Sequence, residues 1–293
     1  MVSVWPQVDW RSENYEEMKQ QGLLVKINSG IDVQMLFHGN NVFMDATNPR
    51  TRDYVWEKCK KNYADMGIKA FWLDEAEPEF TGYDFENYRY HAGAVAETGN
   101  IYPREYARLF YEGQQANGQS GIVNLIRCAW AGSQRYGALV WSGDIMSTYE
   151  DFRKQICAGI HMGLSGIPWW TTDIGGFHGG ITADENFREL LVRWFQFGTF
   201  CPVMRALFYE FPEDPACWDV PDSFLFGPDI LVAPICHEKA AGRQVYLPAG
   251  AFWVHAGSGR TYAGGQTYEI AAPLDTLPVF LREGRQEYLI GQI

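Results

Sequence analysis

The sequence lacks several features that would point to other classes of protein. No apolar run approaches the roughly 18 residues needed to cross a membrane, and Lys and Arg form no basic stripe. The chain has 36 acidic and 24 basic residues, which gives a formal net charge of −12 at pH 7. We therefore expect no binding to nucleic acid or to an anionic membrane.

Metal, redox and targeting motifs are also absent. The six histidines form no HxH or HExxH pattern, and the six cysteines include no CxxC pair. We therefore expect reduced thiols, no metal ion and no cofactor. No basic and apolar leader follows Met1, so no signal peptide is visible and the cytoplasm is the expected location.

The sequence does contain two apolar, aromatic-rich runs that end in an acid. Residues 71–79 read FWLDEAEPE, which places Asp74 after the run, and residues 141–144 read WSGD, which ends at Asp144. A single aspartate of this kind commonly caps the loop or helix that follows. Two segments of the same construction instead favour a pair of catalytic carboxylates, which glycoside cleavage requires.

Short apolar runs alternate with helical stretches from residue 1 to about 200, a pattern typical of parallel βαβ units. The predicted strands are 2–5, 68–73, 122–126, 138–141 and 167–171. Helices are predicted over 12–20, from Asn48-Pro49, after Pro103, and from capping boxes at 147–150 and 182–185. Four polar residues follow strand ends, where a (β/α)8 barrel carries its chemistry: Asp74, Arg127, Asp144 and Asp173.

The pattern changes after about residue 206. Short apolar runs are separated there by Gly, Pro and Asp, which predicts antiparallel strands. The runs cover 224–226, 230–233, 244–247, 252–255, 267–270 and 279–281. The predicted fold is therefore α/β, with a barrel portion at 1–205 and a small β-sandwich domain at 206–293.

The sequence resembles family 31 glycoside hydrolases, which are retaining enzymes that act on α-linked glucosides and xylosides. The resemblance extends over nearly the whole chain. It includes SVWPQVD (3–9), the segment around Asp74, RCAWAGSQR (127–135), WSGD (141–144), WTTDIGGF (170–177), FGPD (226–229) and PVFLREG (278–284). It implies that the strands are barrel strands three to seven, and that the substrate is an α-linked oligosaccharide or glycoside.

The resemblance also implies roles for individual residues. Asp74 matches the nucleophile and Asp144 the acid/base, which Trp141 and its strand are expected to shield from water. Arg127 and Asp173 match residues that hold sugar hydroxyls; a structural ion pair and a turn aspartate are the alternatives. Trp5, Trp72 and Trp141 are candidate pocket residues, and a core role remains open for Trp5 and Trp72. Glu75, Glu77 and Glu79 lie near enough to Asp74 to confuse its assignment, and Glu77 is expected to orient the loop.

The sequence departs from the family pattern in three places. The family has an N-terminal β domain and barrel strands one and two before the segment that begins here, and a distal β domain after the segment that ends here. The third departure is internal: residues 200–205 (FCPVMR) run directly into 206–209 (ALFY). This looks like two Pro-Val-Met-Arg segments merged with loss of strand eight and its sugar-binding His.

Two functional hypotheses follow. The first is a retaining α-glycosidase that removes terminal α-linked xylose or glucose, with xylose favoured because DEAEP resembles the α-xylosidase branch. A lyase of the same family would share the covalent first step. The second hypothesis is a truncated, non-catalytic remnant with at most weak carbohydrate binding. The sequence does not indicate the oligomeric state.

Overall fold

The computed structural model describes residues 1–30, 35–36, 39–78, 85–201 and 203–293. The chain forms two compact units, residues 1–140 and 141–293. Each unit has its own buried core.

The described residues of unit one form short strands and four α-helices, and the last residue of its final strand, Trp141, already belongs to unit two. Its strands are β1 (Val2–Val4), β2 (Gln7–Asp9), β3 (Lys26–Ile27), β4 (Met35–Leu36), β5 (Asn40–Phe43), β6 (Phe71–Leu73), β7 (Tyr88–Tyr90), β8 (Gly93–Ala94), β9 (Asn124–Ile126) and β10 (Ala138–Trp141). Its helices are α1 (Tyr15–Gln20), α2 (Pro49–Asn62), α3 (Val95–Thr98) and α4 (Tyr102–Ala116).

The parallel strands β1, β6, β9 and β10 are neighbours in that order. Val2 pairs with Phe71, Trp72 with Leu125, and Ala138 with Asn124. Two small antiparallel sheets, β2-β5-β4 and β3-β7-β8, accompany them. The parallel ladder confirms the predicted βαβ pattern, whereas the antiparallel ladders were not predicted.

Helices α2 and α4 cover β6 through aromatic side chains. The Phe71 ring lies 4.9 Å from Phe110 and 6.3 Å from Trp56, measured between ring centroids. Gly113 of α4 admits the Trp56 ring, since a Cβ at this position would lie 2.2 Å from that ring. The Asn124 amide ties the layers together, because it accepts the Phe71 N–H at 3.0 Å and donates to Gln114 Oε1 at 2.7 Å.

Unit two begins with helices and ends in antiparallel strands. Its strands are β11 (Trp170–Thr171), β12 (Phe224–Phe226), β13 (Ile230–Val232), β14 (Gly242–Leu247), β15 (Phe252–His255), β16 (Thr261–Ala263), β17 (Gln266–Ala271) and β18 (Val279–Arg282). Its helices are α5 (Tyr149–Leu164) and α6 (Glu185–Gly198).

The antiparallel strands form a five-stranded sheet, β12-β13-β18-β15-β16, and the two-stranded pair β14-β17. Both sheets contribute to one buried cluster, which confirms the predicted β-sandwich. Its members are Leu207, Phe211, Cys217, Leu225, Leu231, Ala233, Val245, Leu247, Trp253, Ile270 and Phe280. Strand β16 is the one sandwich strand in this part of the chain that the sequence patterns did not predict.

The helix starts test the predicted capping motifs. Asn48 caps α2 by accepting the Arg50 N–H, with Pro49 at the first helical position, as predicted. The predicted capping boxes at 147–150 and 182–185 were wrong in position, because the capping side chains are Thr148 and Asp184. Ser147 instead uses its N–H in a bond to the His178 carbonyl, and Asp184 closes a turn onto Ile181 before capping α6.

Candidate active site

Asp74 lies directly after β6, at the carboxyl end of a parallel strand. Its N–H donates to the Val4 carbonyl at 3.1 Å, and the Arg127 N–H donates to the Leu73 carbonyl at 3.2 Å. Asp74 is 7% exposed. The parallel ladder therefore carries a mostly buried carboxylate to the edge of the sheet where barrel enzymes place their reacting groups.

Glu75 follows with a left-handed backbone, at φ 51°. Its N–H donates to Asp74 Oδ1 at 3.0 Å, and the residue is buried. The sequence patterns gave no indication of this conformation.

Arg127, at the end of β9, faces three carboxylates. Its Nε lies 2.9 Å from Glu77 Oε1, and its Nη1 lies 3.5 Å from Asp74 Oδ1 and 3.6 Å from Glu75 Oε1. The guanidinium is therefore a shared counter-ion for the cluster, and its shortest contact is to Glu77. This fits the expectation that Glu77 orients the loop after the nucleophile. Glu79 lies outside the described residues.

Cys128 lies next to Arg127 in the sequence. Burial raises the pKa of its thiol, and the nearby Glu77 carboxylate raises it further. Since the thiolate is the reactive form of cysteine, this raised pKa disfavours reaction at Cys128.

The tryptophans predicted for the pocket differ in burial. Trp5 is 37% exposed and Trp141 is 4% exposed, while Trp72 is half-buried. Trp5 lines a cavity of about 460 Å³. The residues around that cavity come mainly from β1, β2, α1 and α2 and do not include Asp74, so lining this cavity does not bring Trp5 to Asp74.

Unit two carries the second candidate carboxylate. Asp144 lies three residues beyond Trp141, in the loop between β10 and α5, and it is exposed. Trp141 is buried in its strand, so it does not provide the shielding from water that the sequence analysis expected.

Asp173 follows β11 and is half-buried. Its backbone carbonyl accepts the Gly176 N–H at 2.9 Å, which closes a turn. The preceding Thr172 is buried, and its hydroxyl accepts the Trp194 Nε1–H at 2.6 Å. Helix α6 thereby fixes the end of β11 from which Asp173 projects.

The loops that carry Asp144 and Asp173 are joined by backbone hydrogen bonds. The Ile145 carbonyl accepts the N–H groups of Phe177 and His178, and the Ser147 N–H donates to the His178 carbonyl. Gly176 lies against Ser147 at φ 86°, where a Cβ would approach the Ser147 backbone to 2.7 Å. The pair Gly175-Gly176 was visible in the sequence, but its function in joining these loops was not.

The described residues offer neither a metal site nor a membrane-spanning helix. No group of three or more His, Cys, Asp or Glu side chains in those residues could hold a metal ion. No helix among them is long and apolar enough to cross a membrane. In unit one, a buried carboxylate is held by a guanidinium. In unit two, the exposed Asp144 and the half-buried Asp173 lie on loops that are joined by backbone hydrogen bonds.

Two family models match the sequence. Residues 1–223 match the glycosyl hydrolases family 31 TIM-barrel domain, and residues 201–285 match the glycosyl hydrolase family 31 C-terminal domain. The fold is thus a partial (β/α)8 barrel followed by an antiparallel β domain. The domain boundary predicted at 205/206 stays a prediction.

Individual members of this family are also similar to the chain. An uncharacterized family 31 glucosidase from Pseudescherichia vulneris is 59% identical over 213 residues, which is 73% of this chain and 40% of the relative. The α-xylosidase of Saccharolobus solfataricus is 30% identical over 99% of this chain and 46% of the relative. The crystal structure of a GH31 α-xylosidase from a soil metagenome, complexed with xylose, is 47% identical, with a TM-score of 0.95 over 99% of this chain and 54% of the other.

The chain therefore spans about half the length of these relatives. The alignment with the Saccharolobus enzyme extends over 348 positions, whereas this chain has 293 residues, so at least 55 positions face no residue of this chain. The relative thus contains internal residues that this chain lacks. Their loss at 205/206 specifically stays a prediction.

Proposed function

The chain belongs to glycoside hydrolase family 31, and from that premise we propose that it is a retaining α-glycosidase that removes a terminal α-linked xylose or glucose. The observation that carries the proposal is the setting of Asp74. This carboxylate is buried at the carboxyl end of a parallel strand, receives the Glu75 N–H, and lies 3.5 Å from the Arg127 guanidinium. A fixed carboxylate in such a place suits attack on an anomeric carbon.

The proposed reaction has two steps. Asp74 attacks the anomeric carbon while Asp144 protonates the departing oxygen, which leaves a covalent glycosyl-enzyme. Asp144 then removes a proton from water, and that water displaces Asp74 from the sugar. Retention requires the two carboxyl groups to lie about 5–5.5 Å apart.

The remaining site residues are proposed to hold the sugar. Arg127 and Asp173 would bind its hydroxyl groups, and Trp5, Trp72 and Trp141 would form walls of the pocket. Arg127 already binds Glu77 through its Nε, so the Nη1 side of the guanidinium is the part that points at Asp74 and toward the sugar.

We place xylose ahead of glucose as the substrate. The soil-metagenome relative binds xylose and is an α-xylosidase, and the Saccharolobus relative is also an α-xylosidase. The more similar Pseudescherichia relative is described as a glucosidase, so the ranking needs a direct test.

A non-catalytic remnant is the competing function, and the internal residues missing relative to the Saccharolobus enzyme favour it. Such a chain would bind carbohydrate weakly and would not turn over. The two hypotheses differ in whether the 293-residue chain itself releases nitrophenol from a nitrophenyl α-glycoside. The same assay on a form with the missing segments restored separates a lost activity from one that never existed.

The test is hydrolysis of nitrophenyl α-xyloside and α-glucoside by the chain and by Asp74→Ala. We expect Asp74→Ala to lose turnover, and added azide to restore it with formation of a β-glycosyl azide, since azide enters the space left by the carboxylate. A product with inverted configuration by NMR would contradict the assignment, and an anhydro-sugar product would identify a lyase. A kcat/KM for the glucoside tenfold above that for the xyloside, about 1.4 kcal/mol, would reverse the ranking.

A further inference from the structure

Glu75 has a backbone conformation that a residue with a side chain rarely adopts. Among the described residues other than glycine, three have positive φ: Glu75 at 51°, Lys239 at 57° and Gln286 at 52°. Lys239 and Gln286 are exposed, whereas Glu75 is 4% exposed. Glycine would occupy this position without strain, so the strain persists because the side chain is used.

The Glu75 side chain lies against the counter-ion of the candidate nucleophile. Its Oε1 is 3.6 Å from Arg127 Nη1, the same nitrogen that lies 3.5 Å from Asp74 Oδ1. Glu77 holds Arg127 from the other side, with 2.9 Å between Oε1 and Nε. A single cation thus serves three carboxylates, and two of them flank it at Nη1.

This arrangement affects how strongly Arg127 neutralises Asp74. A guanidinium paired with one buried carboxylate stabilises the negative charge of that carboxylate. This stabilisation makes the carboxylate a weaker nucleophile. With Glu75 at a similar distance from Nη1 and Glu77 nearer at Nε, the charge of Arg127 is divided among three acids. The Glu75 N–H, 3.0 Å from Asp74 Oδ1, then fixes the direction of the carboxylate without adding a full positive charge.

We propose that Glu75 is a positioning residue for Asp74, holding Arg127 away from full pairing with the nucleophile and orienting the carboxylate through its own N–H. The proposal rests on the proposed function, in which Asp74 forms the covalent intermediate. The proposal goes beyond the assignment of Asp74, because Asp74 could be the nucleophile whether or not Glu75 positions it.

Three variants separate the charge from the backbone strain. Glu75→Gln keeps the shape and the strained conformation but removes the charge. Glu75→Gly removes both the charge and the strain. Gln286→Gly is the matched control, because it relieves a nearly identical φ at an exposed position.

The readouts are the rate at which 5-fluoroxylosyl fluoride labels the protein, followed by intact mass, and the melting temperature. We expect both Glu75 variants to label at least tenfold more slowly at saturation, with half-saturating concentrations within twofold of the unsubstituted chain. Glu75→Gly should melt no lower than the unsubstituted chain. Gln286→Gly should label at the normal rate.

Labelling of Glu75→Gly within twofold of the normal rate would overturn the proposal, as would a loss that only follows the fraction unfolded. Absence of labelling in the unsubstituted chain would count against the proposed function instead. Crystal structures of that chain and of Glu75→Gly would then decide the matter for Glu75. A rotated Asp74 carboxylate or a moved Arg127 guanidinium would support the proposal, and superimposable side chains would overturn it.

Discussion

Asp74 is held by three groups that reach it from different directions. Its own N–H donates to the Val4 carbonyl of the neighbouring strand. The Glu75 N–H and the Arg127 guanidinium both donate hydrogen bonds to Oδ1 of Asp74. A carboxylate fixed before the substrate arrives does not have to be reoriented during the reaction. Asp144, by contrast, is exposed on a loop, and its function as the acid/base stays a proposal.

A leaving-group series on Asp144→Ala tests this division of functions. We expect activity on an aryl α-xyloside with a strongly acidic phenol to be largely kept, because such a group departs without a proton. Activity on an alkyl α-xyloside should fall by about 10²–10⁴. The check is the ratio of kcat/KM for the two substrates, with Glu150→Ala, a nearby exposed acid, as control. Equal losses on both substrates would remove Asp144 from the acid/base function.

The sequence was informative about these residues only to a point. The position of Asp74 after an apolar run was predictable, because a buried strand has to be apolar and a polar residue marks its end. The left-handed Glu75 and the ion pair between Arg127 and Glu77 were not predictable, since each depends on what the tertiary fold places opposite. The exposure of Asp144 differs from the expected shielding for the same reason.

At the scale of elements, buried polar side chains connect helices to loops and strands. Arg193 of α6 is 2% exposed, and its guanidinium donates to the backbone carbonyls of Ala240, Ala272, Pro273 and Thr276. Asp214 caps the short 3-10 helix Pro215–Asp219 and connects that helix to other parts of the unit. It accepts the Tyr246 hydroxyl at 2.6 Å and the Ala249 N–H at 2.8 Å.

Asp214 predicts an acid dependence of stability. Burial alone would raise the pKa of its carboxyl, but hydrogen bonds from Ala249, Tyr246 and Ala216 bring that pKa below the ordinary 3.8. A depressed folded-state pKa stabilises the fold above pH 3.8, and this stabilisation is lost as the pH falls through the folded-state value. Asp214→Asn should therefore lower the free energy of unfolding by about 2 kcal/mol at pH 7, and by less at pH 3.

Urea unfolding at the two pH values measures this difference. The control is Asp275→Asn, at an exposed position, which should change the free energy of unfolding by less than about 0.5 kcal/mol at either pH. If Asp214→Asn lowered the free energy of unfolding by the same amount at pH 7 and pH 3, the stabilising hydrogen bonds of Asp214 would not depend on the ionisation of its carboxyl group.

The elements that sequence reasoning found are those with strong periodicity or a specific cap. The strand at 138–141 and the start of α2 after Asn48 match the prediction. The ladders β2-β5-β4 and β3-β7-β8 were missed, because their strands have two to four residues and are stabilised by partners distant in sequence. The periodicity of apolar residues in the sequence cannot by itself identify such short strands.

At the scale of the whole molecule, strand β1 is an outer strand of its sheet among the residues that the structure describes. Val2 and Val4 make the bonds to the β6 side, through the Val2 N–H to Ala70 and the Asp74 N–H to Val4. In a parallel ladder the intervening residue then turns its N–H and C=O the other way. Ser3 therefore presents backbone groups along an outer edge, and such an edge is a template for pairing with another chain.

Ser3→Lys tests whether this edge drives association. A lysine on an edge strand opposes pairing, so we expect the variant to aggregate at a rate at least about twofold lower, as followed by light scattering. Gln292→Lys adds the same charge at an exposed terminal position and should have no such benefit. An equal effect of the two substitutions would attribute any change to net charge and not to the edge.

The central claim is that Asp74 is the nucleophile of a retaining α-glycosidase, and labelling tests it most directly. The chain is treated with 5-fluoroxylosyl fluoride, which forms a slowly hydrolysed glycosyl-enzyme, and is then digested and sequenced by mass spectrometry. The account predicts one sugar per chain, attached to Asp74, and no label in Asp74→Ala. A label on Glu75 or Glu77, or a folded chain that takes up no label, would contradict it.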